Sequence, residues 1–251
     1  MRRLILGLVV VSSLAVGRNA RDVDSLFIAA NQYMNREKYE DAVRLYEKIL
    51  SQGYEHPDLY YNLGNGYYRL GFLGQAVWAY EKGLRFRPRD PDLRFNLDLV
   101  NAHIRDRIEI PETFFLLELY RALKSQFTLS DLLLVGSGLL LLASFLFAVN
   151  RISGNRFNRM SKFIGVIFVL AILVHGVALD KYWELSDKRE GVVVEREVEA
   201  FSAPFERRDA VLFKVHEGIK VEITQRRPDW IEIVLLDGKK GWVRANSVRE
   251  L

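Results

Sequence analysis

The feature that most constrains the fold is a self-match of the chain at one fixed spacing. The aligned segments are YEDAVRLYEKIL, residues 39–50, and LGQAVWAYEKGL, residues 73–84. Ala42 aligns with Ala76 in this register, and Asn31 aligns with Asn65 further upstream. The aligned residues are 34 positions apart. A self-match at a fixed period of this length indicates supersecondary units that stack on one another. The small residues at the aligned alanine positions suit places where two helices cross closely.

The same period decides how the glycine-containing segment YYNLGNGYYRL, residues 60–70, is interpreted. A phosphate-binding loop would need a preceding strand and a GxGxxG or GxxxxGK[ST] pattern, and the segment has neither. The period and residue types resemble tetratricopeptide (TPR) repeats, which implies all-α helix pairs. Gly64 then lies in a helix, where its size permits close packing, and Gly71 ends that helix.

The register of the match predicts the extent of this helical array. Repeat one spans about 23–56 and repeat two about 57–90. Residues 91–108 begin like a third repeat and then diverge, which predicts a solvated cap helix and a TPR block over 23–108.

The TPR resemblance also predicts a protein-binding surface, because the first helices of such repeats line a concave face. The residues that spacing places there are Asp24, Phe27, Asn31, Met34, Asp58, Tyr61, Asn65, Tyr68 and Arg69. Asparagine carries both donors and an acceptor, so we expect Asn31 and Asn65 to bind the backbone of an extended peptide. Replacing both by alanine should then abolish binding and leave the fold intact. The alternative is that this polar face is simply solvated.

Charge and composition argue against several classes of function. The net charge is +4, yet residues 24–110 carry 12 basic and 13 acidic side chains, and residues 181–251 carry 14 of each. The excess positive charge lies beside apolar runs and not on a domain that could bind nucleic acid. The chain has no Cys and only four widely spaced His. We therefore expect no metal, cofactor or catalytic site, since no Ser/His/Asp, paired-carboxylate or nucleotide motif is visible.

Two apolar runs predict a transmembrane hairpin. Residues 132–149 contain no charged residue, and the only ionisable residue of 163–179 is His175. The connecting residues 150–162 carry four basic and no acidic side chains, which predicts a cytoplasmic loop and places both ends of the chain in the bacterial periplasm. The alternative is a buried helical hairpin in a soluble protein.

Two further segments bear on the relation to the membrane. Residues 1–17, MRRLILGLVVVSSLAVG, are typical of a secretory signal peptide cleaved after Gly17, with an uncleaved anchor as the alternative. Residues 111–128 begin at a helix-stopping proline, Pro111, and have one apolar face. They predict a juxtamembrane amphipathic helix, although packing against the repeats is an alternative.

The C-terminal region changes to alternation of apolar and charged residues, which predicts short strands. The succession F-x-V-x-x-G-x-K-V-E-I, D-W-I-E-I and D-G-x-x-G-W-V resembles bacterial SH3 domains over residues 190–251. This resemblance implies a small all-β barrel that binds peptides or cell-wall glycans and has no catalytic residues. The candidate surface aromatics are Phe201, Phe205, Trp230 and Trp242, and a core position is the alternative for both tryptophans.

The whole arrangement of signal peptide, TPR block, two membrane helices and SH3-like barrel resembles the aerotolerance-operon BatE proteins. Members of that family are encoded beside membrane proteins with von Willebrand A domains and a MoxR-type ATPase. The resemblance implies a non-enzymatic, inner-membrane-anchored interaction scaffold in tolerance of oxidative stress, with Bat-type membrane proteins as partners. The alternative function is a peptidoglycan-binding accessory protein that acts through the barrel.

Overall fold

The structure, a computed structural model, describes residues 22–108, 114–153, 158–187 and 189–251. The predicted signal peptide lies outside these residues, as does the beginning of the predicted juxtamembrane helix. The helices of the described residues are α1 (22–35), α2 (Tyr39–Ser51), α3 (Pro57–Arg69), α4 (Leu73–Phe86), α5 (Pro91–Asn101), α6 (Phe115–Ser125), α7 (Leu129–Ile152) and α8 (Asn158–Asp187). The strands are β1 (Glu190–Val193), β2 (Glu197–Phe201), β3 (Val211–His216), β4 (Lys220–Arg226), β5 (Trp230–Val234), β6 (Lys240–Arg244) and β7 (Val248–Glu250).

Helices α1 to α5 form a helical region whose two helix pairs follow the register of the self-match, since α2 begins at residue 39 and α4 at residue 73. The aligned residues Ala42 and Ala76 are fully buried. Gly64 of α3 lies against the ring of Tyr80 on α4, and a Cβ atom on Gly64 would be 2.5 Å from the ring carbon Cε1. A larger residue at position 64 would therefore push α3 and α4 apart.

The turn inside each helix pair uses a residue in the left-handed region. Gly71 has φ +75°, and Glu37, its equivalent in the first pair, has φ +59°. Glycine adopts such a φ freely, whereas a residue with a Cβ atom is strained there. In both turns the N–H group of the next residue donates to the carbonyl five residues earlier, at 2.9 and 3.0 Å. The two pairs therefore share one turn geometry despite the different residues.

Helix α5 covers the end of the second pair. Its N-cap Asp90 accepts hydrogen bonds from the N–H groups of Asp92 and Leu93, at 3.0 and 3.1 Å. Leu93 is buried against α4, where a Cβ atom on Gly83 would lie 2.8 Å from a Leu93 methyl carbon. The capped first turn thus fixes α5 on the surface of α4.

Helices α7 and α8 pack against each other as a hairpin and extend beyond the apolar runs of the sequence at both ends. The first and last parts of the predicted loop 150–162 are consequently helical. Both helices are long and apolar enough to cross a membrane, by length and composition. Their most apolar windows are each only 17% buried, whereas the core helix of a soluble protein is mostly buried.

Strands β1 to β7 form an antiparallel sheet domain in the order β3-β2-β6-β5-β4-β1-β7. The turn between β5 and β6 contains an Asp-Gly pair, with Gly238 at φ +86° and the Asp237 carboxylate accepting from the Lys239 N–H at 3.0 Å. Trp230 and Trp242 are buried beside Phe201, so these three aromatics belong to the interior of the sheet domain. Phe205 is 45% exposed.

The sheet domain lies directly against the helical region, through contacts of α4 with β1 and β7. Val192 of β1 is buried in the same apolar cluster as the helices, and Leu251 packs on that cluster. The absence of a side chain at Gly74 permits this close contact, because a Cβ atom there would lie 2.5 Å from the Val193 carbonyl oxygen. Its N–H group donates to the Glu217 carboxylate at 3.0 Å.

Polar contacts of Arg249 reinforce this interface. Its guanidinium donates to the two carboxylate oxygens of Glu47, at 2.8 and 3.0 Å, and lies 3.4 Å from the centre of the Trp78 ring. The Trp78 indole N–H donates to the Glu250 carbonyl at 2.7 Å. Side chains of α2 and α4 thus hold β7 through both charge and stacking.

Candidate functional site

A groove of about 750 Å³ opens on the helical region. Its lining residues are Asn31, Met34, Asn35, Tyr39, Tyr46, Tyr61, Asn62, Asn65, Tyr68, Arg69, Tyr80, Asn96, Leu99 and Val100. They come mainly from α1, α3 and α5, with tyrosines of α2 and α4 behind them. Asparagine and tyrosine each contribute five residues, so the surface combines amide groups with phenol rings.

The asparagines of the groove are organised by hydrogen bonds to the layer behind. The Asn31 carbonyl oxygen Oδ1 accepts from the Tyr46 hydroxyl at 2.6 Å and from the Asn62 amide at 3.1 Å. Because Tyr46 is fully buried, its hydroxyl needs this acceptor. We call this three-residue unit the first latch.

The same unit recurs at the equivalent positions of the next repeat. The Asn65 Oδ1 atom accepts from the Tyr80 hydroxyl at 2.8 Å and from the Asn96 amide at 2.9 Å. Tyr80 is also almost completely buried. This second latch joins α3 to α5 as the first joins α1 to α3, so the three helices that wall the groove are tied at their amide side chains.

In each latch the side-chain oxygen of the central asparagine accepts two hydrogen bonds, and its side-chain NH₂ group takes no part. Among the residues that the structure describes, the Nδ2 groups of Asn31 and Asn65 have no hydrogen-bond partner. The Oδ1 atoms of Asn62 and Asn96 are likewise unpaired within the described ranges. The groove therefore offers amide donors and amide acceptors, the two groups with which a peptide backbone pairs.

Burial keeps four tyrosines of the helical region protonated, two of which, Tyr46 and Tyr80, line the groove. We call these four the repeat tyrosines: Tyr46, Tyr60, Tyr67 and Tyr80. Desolvation raises the pKa of each hydroxyl far above its ordinary value. For Tyr67 the nearby Glu47 carboxylate raises the pKa further. Each phenol thus remains a hydrogen-bond donor over the physiological pH range.

Arg69 is the one charged residue in the described lining. Its guanidinium lies 6.0 Å from the centre of the Tyr39 ring at one end of the groove. A ligand that fills the groove would therefore be largely neutral along its length, with one position where a carboxylate is favoured.

The structure brings together most of the predicted binding residues but not all of them. Those that line the groove are Asn31, Met34, Tyr61, Asn65, Tyr68 and Arg69. Phe27 instead packs on the helical core, with its ring centre 5.9 Å from that of Tyr46. Asp58 pairs with Arg87, and Asp24 is exposed in the first turn of α1, away from the lining. These three residues lie on the same helix faces as the lining residues, but one or two turns away from the groove.

Sequence reasoning misses the layer that completes the groove. It places none of Tyr46, Tyr80, Asn62 and Asn96 on the predicted binding surface. The members of each pair occupy equivalent positions of successive repeats, so the self-match contained the signal. The repeated Asn-Tyr-Asn set becomes visible as a unit only when each central asparagine is compared with the residues 15 and 31 positions after it, the second of which lies in the next repeat or the cap helix.

The remaining features provide little alternative chemistry. Within the described ranges, no group of three His, Asp or Glu side chains is arranged to hold a metal ion. On the sheet domain, Arg244 covers the Trp230 ring at 4.5 Å and Arg227 covers the Trp242 ring at 5.5 Å. Comparison of the chain with protein-family models gave no match, and comparison with curated proteins gave none either.

Proposed function

We propose that this chain is a non-enzymatic, membrane-anchored scaffold that binds a protein partner in the groove of its helical region. The observation that carries the proposal is the pair of latches, which present unpaired amide groups at a repeat spacing along an open surface. Such groups pair with the N–H and C=O groups of an extended peptide segment. The three partly exposed tyrosines of the lining, Tyr39, Tyr61 and Tyr68, supply apolar contact for its side chains.

The helical region is proposed to be a TPR array and the sheet domain an SH3-like barrel. The repeat spacing of α2 and α4, the buried alanines and the shared turn geometry support the first assignment. The antiparallel order of β1 to β7 and the 3₁₀ turn at Ala245–Ser247 before β7 support the second. With the resemblance to BatE proteins, we infer inner-membrane anchoring through α7 and α8, with both domains in the periplasm. Bat-type proteins with von Willebrand A domains are the proposed partners, in tolerance of oxidative stress.

The alternative, peptidoglycan binding through the barrel, has less support. Of the four candidate aromatics only Phe205 is substantially exposed, and the two tryptophans are buried. A glycan site built on stacking needs an exposed aromatic face, so we place partner binding in the groove.

The test is crosslinked co-purification from membranes with the full chain and the variant Asn65→Asp. Aspartate retains an oxygen that can accept from Tyr80 and Asn96, so the latch remains, while the groove loses a donor and gains a negative charge. We expect partner capture to fall about tenfold, as for a lost hydrogen bond at the top of the usual range. Asn101→Asp is the matched control, since this exposed asparagine of α5 lies outside the lining.

Unchanged capture by Asn65→Asp, at equal protein level and melting temperature, would remove the groove from the proposal. Retention of the full chain on purified sacculi, lost on Phe205→Ala, would instead favour the peptidoglycan function. Neither result depends on identifying the partner beforehand.

A further inference from the structure

A second cavity, of about 450 Å³, lies where the helical region, α6, α8 and the sheet domain meet. We call it the junction pocket. Its lining residues are Glu81, Leu84, Arg85, Pro88, Arg94, Arg121, Lys124, Ser125, Thr128, Leu129, Lys181, Glu184, Leu185, Glu190 and Lys220. Six of these are basic and three are acidic. The pocket is thus built from segments far apart in the sequence and carries more positive than negative charge.

Three of the bases are neutralised by the three acids of the lining. Lys220 lies 3.2 Å from Glu81 and 3.7 Å from Glu190, and Arg85 lies 3.0 Å from Glu190. Lys124 is similarly paired with Glu184, at 2.8 Å, and with Asp180 just outside the lining. Burial alone would lower the pKa of the Lys220 ammonium, but the two carboxylates outweigh it and raise that pKa. These groups form the structural wall of the pocket.

The other three bases have no carboxylate within ion-pair distance among the described residues. Arg94 donates to the Pro88 carbonyl and, at 2.9 Å, to Gln126, and Lys181 donates to a backbone carbonyl at 3.3 Å. Arg121 is exposed, and no partner for it lies in the described part of the chain. Even with Asp180 counted, the pocket has two positive charges in excess. An anion would complete its electrostatics.

Apolar residues place the pocket at the boundary of the apolar hairpin. Leu129 is the first residue of α7, and Leu185 lies in the last turn of the candidate span of α8, so both spans end at the pocket. Beside it, α6 exposes Phe115, Leu119 and Leu123. Cationic groups therefore lie at one end of the apolar hairpin, beside exposed apolar residues of α6. This is the arrangement in which a headgroup meets its acyl chains.

We propose that the junction pocket binds the phosphate of an anionic phospholipid, with Arg121 and Lys181 as the principal phosphate ligands. Arginine matches phosphate oxygens with a planar, bidentate donor pair, and lysine adds a point charge. The glycerol and upper acyl carbons lie along Leu129 and Leu185. The bound lipid bridges α6 and α8 beneath the helical region. This site is separate from the groove, and its proposal does not rest on peptide binding.

The test is native mass spectrometry of the full chain in mild detergent, titrated with phosphatidylglycerol and, in parallel, with phosphatidylcholine. We expect phosphatidylglycerol to be retained at least fivefold more strongly. Arg121→Gln should weaken its binding about fivefold, and Arg121→Gln with Lys181→Gln about 25-fold, from about 1 kcal/mol per basic residue near a membrane surface. Arg121→Lys, which keeps the charge but not the bidentate donor pair, should weaken binding less than Arg121→Gln does.

Arg151→Gln is the matched control, because Arg151 is exposed in the last turn at the opposite end of α7. Equal losses from Arg151→Gln and Arg121→Gln, or equal retention of the two lipids, would overturn the proposal. Displacement of phosphatidylglycerol by an equal concentration of inorganic phosphate would assign the pocket to a soluble anion and exclude the lipid. Arg121 has no described partner, so its replacement removes no internal contact; an unchanged melting temperature is the check on folding.

Discussion

Replacing Asn65 by alanine should destabilise the helical region. The substitution removes the acceptor of the Tyr80 hydroxyl, 2.8 Å away, and that of the Asn96 amide, 2.9 Å away. Because Tyr80 is almost completely buried, its hydroxyl becomes an unpaired donor, which costs about 1–3 kcal/mol. The better helix propensity of alanine offsets at most about 0.7 kcal/mol of this loss. We expect a net loss of about 1–2 kcal/mol in the free energy of unfolding.

The assay is thermal unfolding of the full chain in detergent, followed by circular dichroism. For a chain of this size a loss of 1 kcal/mol lowers the melting temperature by about 2–4 °C. Tyr80→Phe alone should cost only about 0.5–1.5 kcal/mol, since Asn65 keeps its bond to Asn96 and lies at an open groove. The double variant should cost clearly less than the sum, with a coupling of about 1 kcal/mol, because no buried donor is then left unpaired.

Asn65→Asp supplies the matched control, because it keeps the acceptor and should melt close to the original chain. Strictly additive losses for Asn65→Ala and Tyr80→Phe would show that the two side chains do not interact. An unchanged melting temperature for Asn65→Ala would show that the latch has no energetic weight, and the reasoning from burial would fail.

Further measurements test other parts of the structure. Gly74→Ala should lower the melting temperature, because its methyl group meets the sheet domain, whereas Gly138→Ala, which has open space around it, should not; an equal effect of both would contradict the interface. Arg249→Ala should lower the free energy of unfolding by about 1–2 kcal/mol, a value discounted for the partial exposure of its side chain. In a thermal-melting cycle, the loss for Arg249→Ala combined with Glu47→Gln should be smaller than the sum of the two single losses. Since burial raises the pKa of the repeat tyrosines above their ordinary value of 10.0, stability should be level below about pH 10 and fall as pH rises further, and the share of tyrosinate absorbance that these four of the eleven tyrosines contribute should develop only as the chain unfolds; ionisation of all eleven in the folded state would refute this. In intact cells a cysteine at Ser153 should react only with a membrane-permeant thiol reagent and one at Ser202 with an impermeant one, and the reverse pattern would invert the proposed topology.

The repeat made much of the helical region predictable. Two residues at one period, Ala42 and Ala76, are enough to place the helix crossings, because close packing permits only small side chains there. The same logic identified Gly64 as a helical residue and not part of a phosphate loop. The turn at Gly238 likewise follows from local chemistry, since few residues other than glycine adopt its positive φ.

The use of the two central asparagines could not be read from periodicity alone. A repeat places Asn31 and Asn65 on equivalent faces, but it does not say which atoms of the amide are already engaged. From the sequence, both amides are expected to be free for a ligand. In the structure each carbonyl oxygen accepts from a tyrosine and from an asparagine of the next helix pair or cap helix. An alanine substitution should therefore disturb folding as well as the proposed binding.

The contact between the helical region and the sheet domain lies where the two repeats differ. Gly74 and Trp78 of α4 align with Glu40 and Arg44 of α2, both of which are exposed. A search for repeats is based on the positions that match and gives no information about the positions that differ. Here the departures mark the helix that faces another domain, because only α4 must accept the backbone of β1 and the stacking of Arg249.

The neutrality of the latches has a consequence for how the molecule responds to its surroundings. Hydrogen bonds between amides and phenols carry no net charge, so dissolved salt does not screen them, whereas it weakens exposed ion pairs within a Debye length of about 8 Å at physiological ionic strength. The groove is held by the first kind of contact, and the interface at Arg249 and Glu47 is reinforced by the second. A rise in ionic strength would thus weaken the Arg249–Glu47 contribution to the interface, by a limited amount because both side chains are partly buried, while the latches keep their strength. The latches of the groove and the attachment of the neighbouring sheet domain thus differ in their sensitivity to the ionic medium.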